Sequence, residues 1–209
     1  MTTWSAYITA SSDDAAQIGS TVTLTDISIG VYGTTYYTGL RFTNVTIPKG
    51  ATINSAYITL LNSPNDDPKF DIYAEAVDDA TTFTTSSNDI SGRTLTTAKT
   101  NWTATNLGAW TPNNSPDIKS VIQEITDRSG WSSGNDLNII LVGLSGSNYS
   151  YMAYDNGSNI PSLTIDYTSP VNVDLDKLSL TATVRPVTVV PGAVARVLDL
   201  LVADIAVQP

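Results

Sequence analysis

A chain of 209 residues with 41 % hydrophobic content is long and apolar enough for one ordinary all-β domain, or one domain plus a small appendage, which excludes general disorder. Its 10 basic and 20 acidic residues leave a net charge of −10, so it lacks the cationic surplus that displaces counterions from nucleic acid, and no DNA or RNA partner is expected. The absence of Cys and His excludes disulfides, thiol chemistry, Ser-His-Asp and Cys-His catalysis, and zinc sites built on those ligands.

Abundant Thr, Ser, Asn, Tyr and Val favour strands and polar turns. Residues 4–10 alternate Trp4, Ala6 and Ile8 against Ser5, Tyr7 and Thr9, as a half-buried strand does. Ser11-Ser12-Asp13-Asp14 breaks it. Val22 and Leu24, then Ile27, Ile29 and Val31, predict a strand pair or one bulged strand, and 33–38 reads as a loop. Leu40-Arg41-Phe42 and Val45-Thr46-Ile47 are short strands stopped by the turn Pro48-Lys49-Gly50. Ala56, Ile58 and Leu60 alternate, as do Phe70, Ile72, Ala74 and Ala76, around a loop at 62–68 whose two prolines keep either strand from extending. The polar region 78–114 reads as long loops with short edge strands.

The one convincing helix follows. Ser115 is placed to cap it, Pro116 suits its first turn and Asp117 faces the positive end of its dipole. Ile118, Val121, Ile122 and Ile125 form a buried stripe, Gly130 ends the helix, and Trp131 covers the core edge. The run 137–144 reads as a strand buried on both faces. Residues 149–154, the turn Asn156-Gly157 and a last strand through Leu163, Ile165 and Tyr167 complete the domain. The fold expected is an all-β, antiparallel, two-sheet jelly-roll-like sandwich with one short helix over 1–168, a linker at 169–170, and a β-rich C-terminal arm over 171–209. The arm carries two copies of a 23-residue repeat, in which Leu178, Leu180, Ala182 and Val184 align with Leu201, Ala203, Ile205 and Val207. Such units cannot bury a core alone, so Leu178, Leu180, Val184, Leu201, Ile205 and Val207 are read as assembly positions, docked on the sandwich, another chain or further copies.

Chemistry is sparsely signalled. The doublets Asp13-Asp14, Asp66-Asp67 and Asp78-Asp79 do not make a glycosidase pair, because neighbours on a strand point to opposite faces and the chemistry needs carboxyls about 5–9 Å apart across a cleft. They read as solvated loop acids, with Ca²⁺ binding the alternative, and no cofactor is otherwise expected. Arg128 reads as a residue that caps carbonyls or pairs with an acid. Trp102 and Trp110, in the polar loop region, are the candidates for exposed rings that stack on a glycan; Trp4, Trp131 and the tyrosines Tyr32, Tyr36, Tyr37, Tyr149, Tyr151 and Tyr154 serve either as core or as ligand platforms. No acid/base pair or nucleophile is apparent, so no enzyme is expected. The opening residues MTTWSAYITASSDD show no basic region followed by an apolar one, and no apolar run approaches the roughly 20 residues of a membrane span, so neither a signal peptide nor a membrane association is expected.

The segments Gly39-Leu40-Arg41-Phe42, Ile47-Pro48-Lys49-Gly50-Ala51-Thr52-Ile53, Ser55-Ala56-Tyr57, Gln123-Glu124-Ile125-Thr126-Asp127-Arg128-Ser129-Gly130-Trp131, Tyr154-Asp155 and Pro161-Ser162-Leu163-Thr164-Ile165-Asp166-Tyr167 resemble the β-sandwich modules called DNRLRE-type or carbohydrate-binding-like domains, over about residues 4–167. That resemblance implies a module of a large secreted or surface protein, in some cases linked to polysaccharide binding, and it carries over no catalytic residue. The arm, with its Leu-Thr-Ala-Thr alternation and Val-Val-Pro-Gly turn, resembles short repeats of phage structural proteins. The expectation is a non-enzymatic virion protein, a capsid decoration or tail-associated subunit made in the host cytoplasm. It would form homo-oligomers and bind other virion proteins through its arm. The alternative is an extracellular or cell-surface module that binds polysaccharide.

Overall fold

The computed structural model describes residues 1–31, 33–61, 68–104, 112–146, 149–151, 153–158 and 160–171, with 149–151 described for backbone alone. Met1–Pro170 forms one compact unit. Its strands are β1 (Thr2–Tyr7), β2 (Asp14–Ile18), β3 (Thr21–Thr23), β4 (Ile27–Ile29), β5 (Tyr36–Phe42), β6 (Thr52–Leu61), β7 (Lys69–Ala74), β8 (Thr100–Thr103), β9 (Pro112–Asn114), β10 (Leu137–Ser145), β11 (Tyr149–Tyr151) and β12 (Ser162–Thr168), with one α-helix, α1 (Lys119–Thr126).

Two antiparallel sheets form the sandwich, one of four strands in the order β1-β12-β6-β9 and one of six in the order β3-β2-β5-β10-β7-β8, while β4 and β11 pair separately. Setting aside β2, β3, β4 and β11 leaves eight strands. Numbered along the chain, their first, eighth, third and sixth members make one sheet, and their second, seventh, fourth and fifth make the other. This is the jelly-roll order.

Alternation along these strands builds the core. Leu40 and Phe42 of β5, Leu137, Ile139 and Leu141 of β10, and Phe70, Ile72 and Ala74 of β7 form one wall of a single buried cluster. Ala56, Ile58 and Leu60 of β6 with Leu163 and Ile165 of β12 form the other. Each large apolar side chain contributes about 1.5–3 kcal/mol by leaving water. A bulge on β6, where the register slips between Asp166 and Tyr167, lets both Ile53 and Ala56 face inward although they are three residues apart. The run of β10 has apolar residues on both faces because Ile140 joins a second cluster, with Ala15, Val22, Phe83 and Ile90, on the outer side of the six-stranded sheet.

The helix buries Val121, Ile122 and Ile125, and Ile118 just before it, as its spacing predicts. Its ends differ from expectation. Ser115 is not the cap: its hydroxyl accepts from the Ile58 N–H at 3.1 Å and donates to the Pro116 carbonyl at 2.8 Å, so it serves the β6 edge. Asp117 takes the capping role, accepting from the Lys119 N–H at 2.9 Å and also from the Ala56 N–H at 3.0 Å. The helix stops at Thr126, before Gly130. Gly130 instead sits close to the Asp78 carboxylate, since a Cβ there would lie 2.1 Å from Asp78 Oδ2 unless that side chain shifted.

Three further readings change. Val45 and Ile47 are buried, but 43–48 belongs to neither sheet; its groups bond the 131–135 turn, with Val45 N–H to Asn135 O at 2.9 Å and Trp131 Nε1–H to Ile47 O at 3.0 Å. β5 begins at Tyr36, inside the segment read as a loop. Asp14, read as part of a strand breaker, opens β2.

Candidate functional site

Each sheet has one face on the core and one outward, and the two outward faces are treated differently. On the six-stranded sheet, segment 76–99 lies across β2, β5 and β10. Gln17 of β2 holds it, its Oε1 accepting from the Ile90 N–H at 3.0 Å and the Ser91 N–H at 2.9 Å, and its Nε2 donating to Ser91 Oγ at 2.7 Å. The Phe83 ring fills the position a side chain at Gly39 would need, where a Cβ would meet the ring at 2.3 Å.

The outward face of the four-stranded sheet is bare among the described residues. Alternation there presents hydroxyls and phenols, and the register sets their positions. Ser5 lies opposite Thr164, which lies opposite Tyr57; Tyr7 lies opposite Ser162, then Thr59, then Asn114. With Leu61, Pro112 and Ile160 these residues line an open groove of about 590 Å³. Tyr7 is 63 % exposed and Tyr57 half-buried. Ser5 Oγ and Thr164 Oγ1 share a hydrogen bond at 3.0 Å, and Thr59 Oγ1 donates to Asn114 Oδ1 at 2.8 Å, so the polar groups are pre-positioned by one another. Among the described residues no lining side chain is charged. Farther along the same face Asp166 accepts from Thr3 at 2.5 Å and Ser55 at 3.0 Å, and these two bonds hold its carboxyl below the usual range.

Such a groove can stack and hydrogen-bond. No protein-family model matches the chain. Nor does any curated protein match it.

The residues picked out from the sequence fall elsewhere. Trp102 is a correction: it is 4 % exposed, on the inner face of β8, with its ring 5.2 Å from that of Phe70. The polar neighbours that suggested exposure, Asn101 and Thr103, occupy the alternate outward positions of the same strand. Trp110 and the arm positions Leu178, Leu180, Val184, Leu201, Ile205 and Val207 lie outside the described residues. Of the tyrosines, Tyr36 is buried and Tyr37 and Tyr154 are half-buried. Tyr7 and Tyr57, not singled out as platforms, are the aromatics of the groove. The signal was present in their strands as hydroxyl-and-tyrosine alternation, but it needed the register β1-β12-β6 to bring the two rows onto one face.

The acidic doublets also change. Asp13 is buried and paired, its Oδ1 2.6 Å from the Arg41 guanidinium, which also holds Asp136. Asp78 pairs with Arg128 at 2.7 Å, as one reading of that arginine anticipates, and Asp79 accepts from the Asp136 N–H at 2.8 Å. Asp66 and Asp67 lie outside the described residues. Among the described residues no group of three acidic side chains is placed to hold a metal ion. Asp14 is fully buried on the inner face beside Leu40. Its Oδ2 accepts from the Tyr154 N–H at 2.7 Å, and its Oδ1 has no hydrogen-bond partner among the described residues. Burial pushes its carboxyl up to about 7; the Tyr154 N–H opposes this, and the charges of Asp155 and Asp13 add to it.

Proposed function

We propose that the chain is a non-enzymatic structural protein, a phage virion component of the capsid-decoration or tail-associated kind, that assembles with copies of itself and other virion proteins through its C-terminal arm. The observation that carries this reading is the division of the chain. The compact unit Met1–Pro170 closes its core with its own residues, from Ile8 to Tyr167. The repeated apolar alternation that the sequence of the arm carries is the pattern that would add strands to a neighbouring sheet. The net charge of −10 suits a displayed, soluble domain. Light scattering after size exclusion tests it: the full chain is expected to be a defined oligomer and residues 1–170 a folded monomer. Monomers in both cases would sink the assembly role.

A second reading, a carbohydrate-binding or adhesive surface module, is favoured by one observation, the groove on the outward sheet face, uncharged and bare among the described residues. The resemblance to DNRLRE-type modules supports the same reading. The groove moves that reading from Trp102 to the rows carrying Tyr7 and Tyr57.

A further inference from the structure

We propose that the groove on the outward face of the four-stranded sheet is a platform for a neutral polysaccharide chain, with Tyr7 and Tyr57 as its two stacking anchors. The inference rests on the second reading above and gives it a site and a ligand class. Three features carry it.

The first is the placement of the rings. Tyr57 lies two strands across from Ser5, and Tyr7 lies two residues beyond Ser5. With about 4.8 Å between strands and about 3.4 Å per residue, the anchors stand roughly 12 Å apart, on a diagonal. One extended chain of linked sugar rings can touch both. Each ring offers a flat apolar face with a polar hydroxyl at its rim, which matches a pyranose that is apolar on its faces and polar at its edge.

The second is the polar lining between them. Each hydroxyl in the Ser5–Thr164 pair retains hydrogen-bonding capacity beyond the bond they share, and Asn114, which accepts from Thr59 through Oδ1, has an amide N–H₂ as donor. Neutral donors and acceptors in a concave, partly apolar site are what a polyol recognises.

The third is charge. Among the described residues the groove has neither a cation to pair with a phosphate, sulfate or uronate nor an anion to pair with a basic peptide, and the chain's net charge of −10 repels acidic polymers. An extended peptide would bind through its backbone at a sheet edge, whereas the groove lies on the face and offers side chains.

The test is affinity electrophoresis of the full chain through gels that hold dextran, galactomannan or hydroxyethylcellulose, with polygalacturonate as the acidic control. Retardation in at least one neutral gel and none in polygalacturonate is expected. Tyr7→Ala and Tyr57→Ala should each weaken the interaction about tenfold, and Tyr7→Phe should keep most of it. An unchanged melting temperature in Tyr7→Ala, whose ring is largely exposed, separates binding from folding. Retardation that both alanine variants leave intact overturns the site while the polysaccharide reading stands. No retardation in any neutral gel overturns both. Retardation in polygalacturonate equal to that in the neutral gels overturns the ligand class. So does selection of extended peptides from a random library, lost in Tyr7→Ala, without retardation by any polysaccharide.

Discussion

Asp14→Asn is expected to stabilise the protein at pH 8 and to flatten its pH dependence. The wild-type carboxyl is fully buried, with one oxygen unpartnered among the described residues, and burial moves its titration from 3.8 up to about 7. Because the folded value lies above the unfolded one, the folded chain holds a proton that the unfolded chain releases between those two values. The stability contributed by this group is therefore fully present below 3.8, falls as pH rises, and is gone above about 7. At about 1.4 kcal/mol for each pH unit in that window, the total is about 4 kcal/mol. Between pH 5 and pH 8 the wild type should lose about 3 kcal/mol through Asp14, or on the order of 5–10 °C in Tm for a domain of this size. An asparagine keeps the acceptor for the Tyr154 N–H and never ionises, so its Tm should change little over the same range. The exposed Asp26→Asn makes the same charge change on the surface and should leave the wild-type slope intact. Parallel Tm-versus-pH curves for wild type and Asp14→Asn would refute the assignment of a buried, proton-holding Asp14.

The same residue shows where reading by sequence alone stops. The architecture was legible because it depends on periodicity. Alternation at Ala56, Ile58 and Leu60, the unbroken run of β10, and the spacing of Ile118, Val121, Ile122 and Ile125 each report one face of one element. Local chemistry misled where tertiary contacts reassigned it. Ser115 and Gly130 are good cap residues, but a neighbouring strand uses the first, and the helix stops at Thr126, leaving the second beside the Asp78 carboxylate. Asp13-Asp14 reads as a polar breaker, since nothing in a single sequence reveals that Arg41 waits across a strand for Asp13. Trp102 looked exposed because the chain around it is polar, yet strand alternation turns its polar neighbours outward and its ring inward. The groove was hidden for a related reason. Tyr7 and Tyr57 are fifty residues apart in the chain, and only the intervening β12, the last strand among the described residues, places them on one surface.

Arg93→Met should cost about 3–5 kcal/mol, the second large effect. Its side chain is 8 % exposed and ties the segment that covers the six-stranded sheet together and to Glu75 at the end of β7. Nη1 donates to Glu75 Oε2 at 2.7 Å and Thr81 O at 3.0 Å, Nη2 to Thr82 O at 2.9 Å and Asp89 Oδ2 at 3.1 Å, and Nε to Asp89 O at 3.1 Å. The guanidinium also lies 4.5 Å from the centre of the Phe83 ring, the ring that occupies the space above Gly39. Methionine fills a similar volume but supplies no donor. It would leave Glu75, largely buried and otherwise bonded by Asn138 Nδ2 at 2.8 Å, as an uncompensated charge. Lysine would restore the charge without the planar fork that reaches carboxylates and carbonyls at once, so Arg93→Lys should recover only part of the loss. Adding Glu75→Gln to Arg93→Met removes the stranded charge and should return stability relative to the single variant, a coupling that a pair of independent surface residues would not show. Urea unfolding of wild type, Arg93→Met, Arg93→Lys, Glu75→Gln and the double variant measures this, with amide exchange at Phe83 and Ile90 reporting whether the cover has lifted. If Arg93→Met costs less than about 1 kcal/mol and those amides stay protected, the cover is held by Gln17 and the Phe83 contact, and the arginine is a passenger on it.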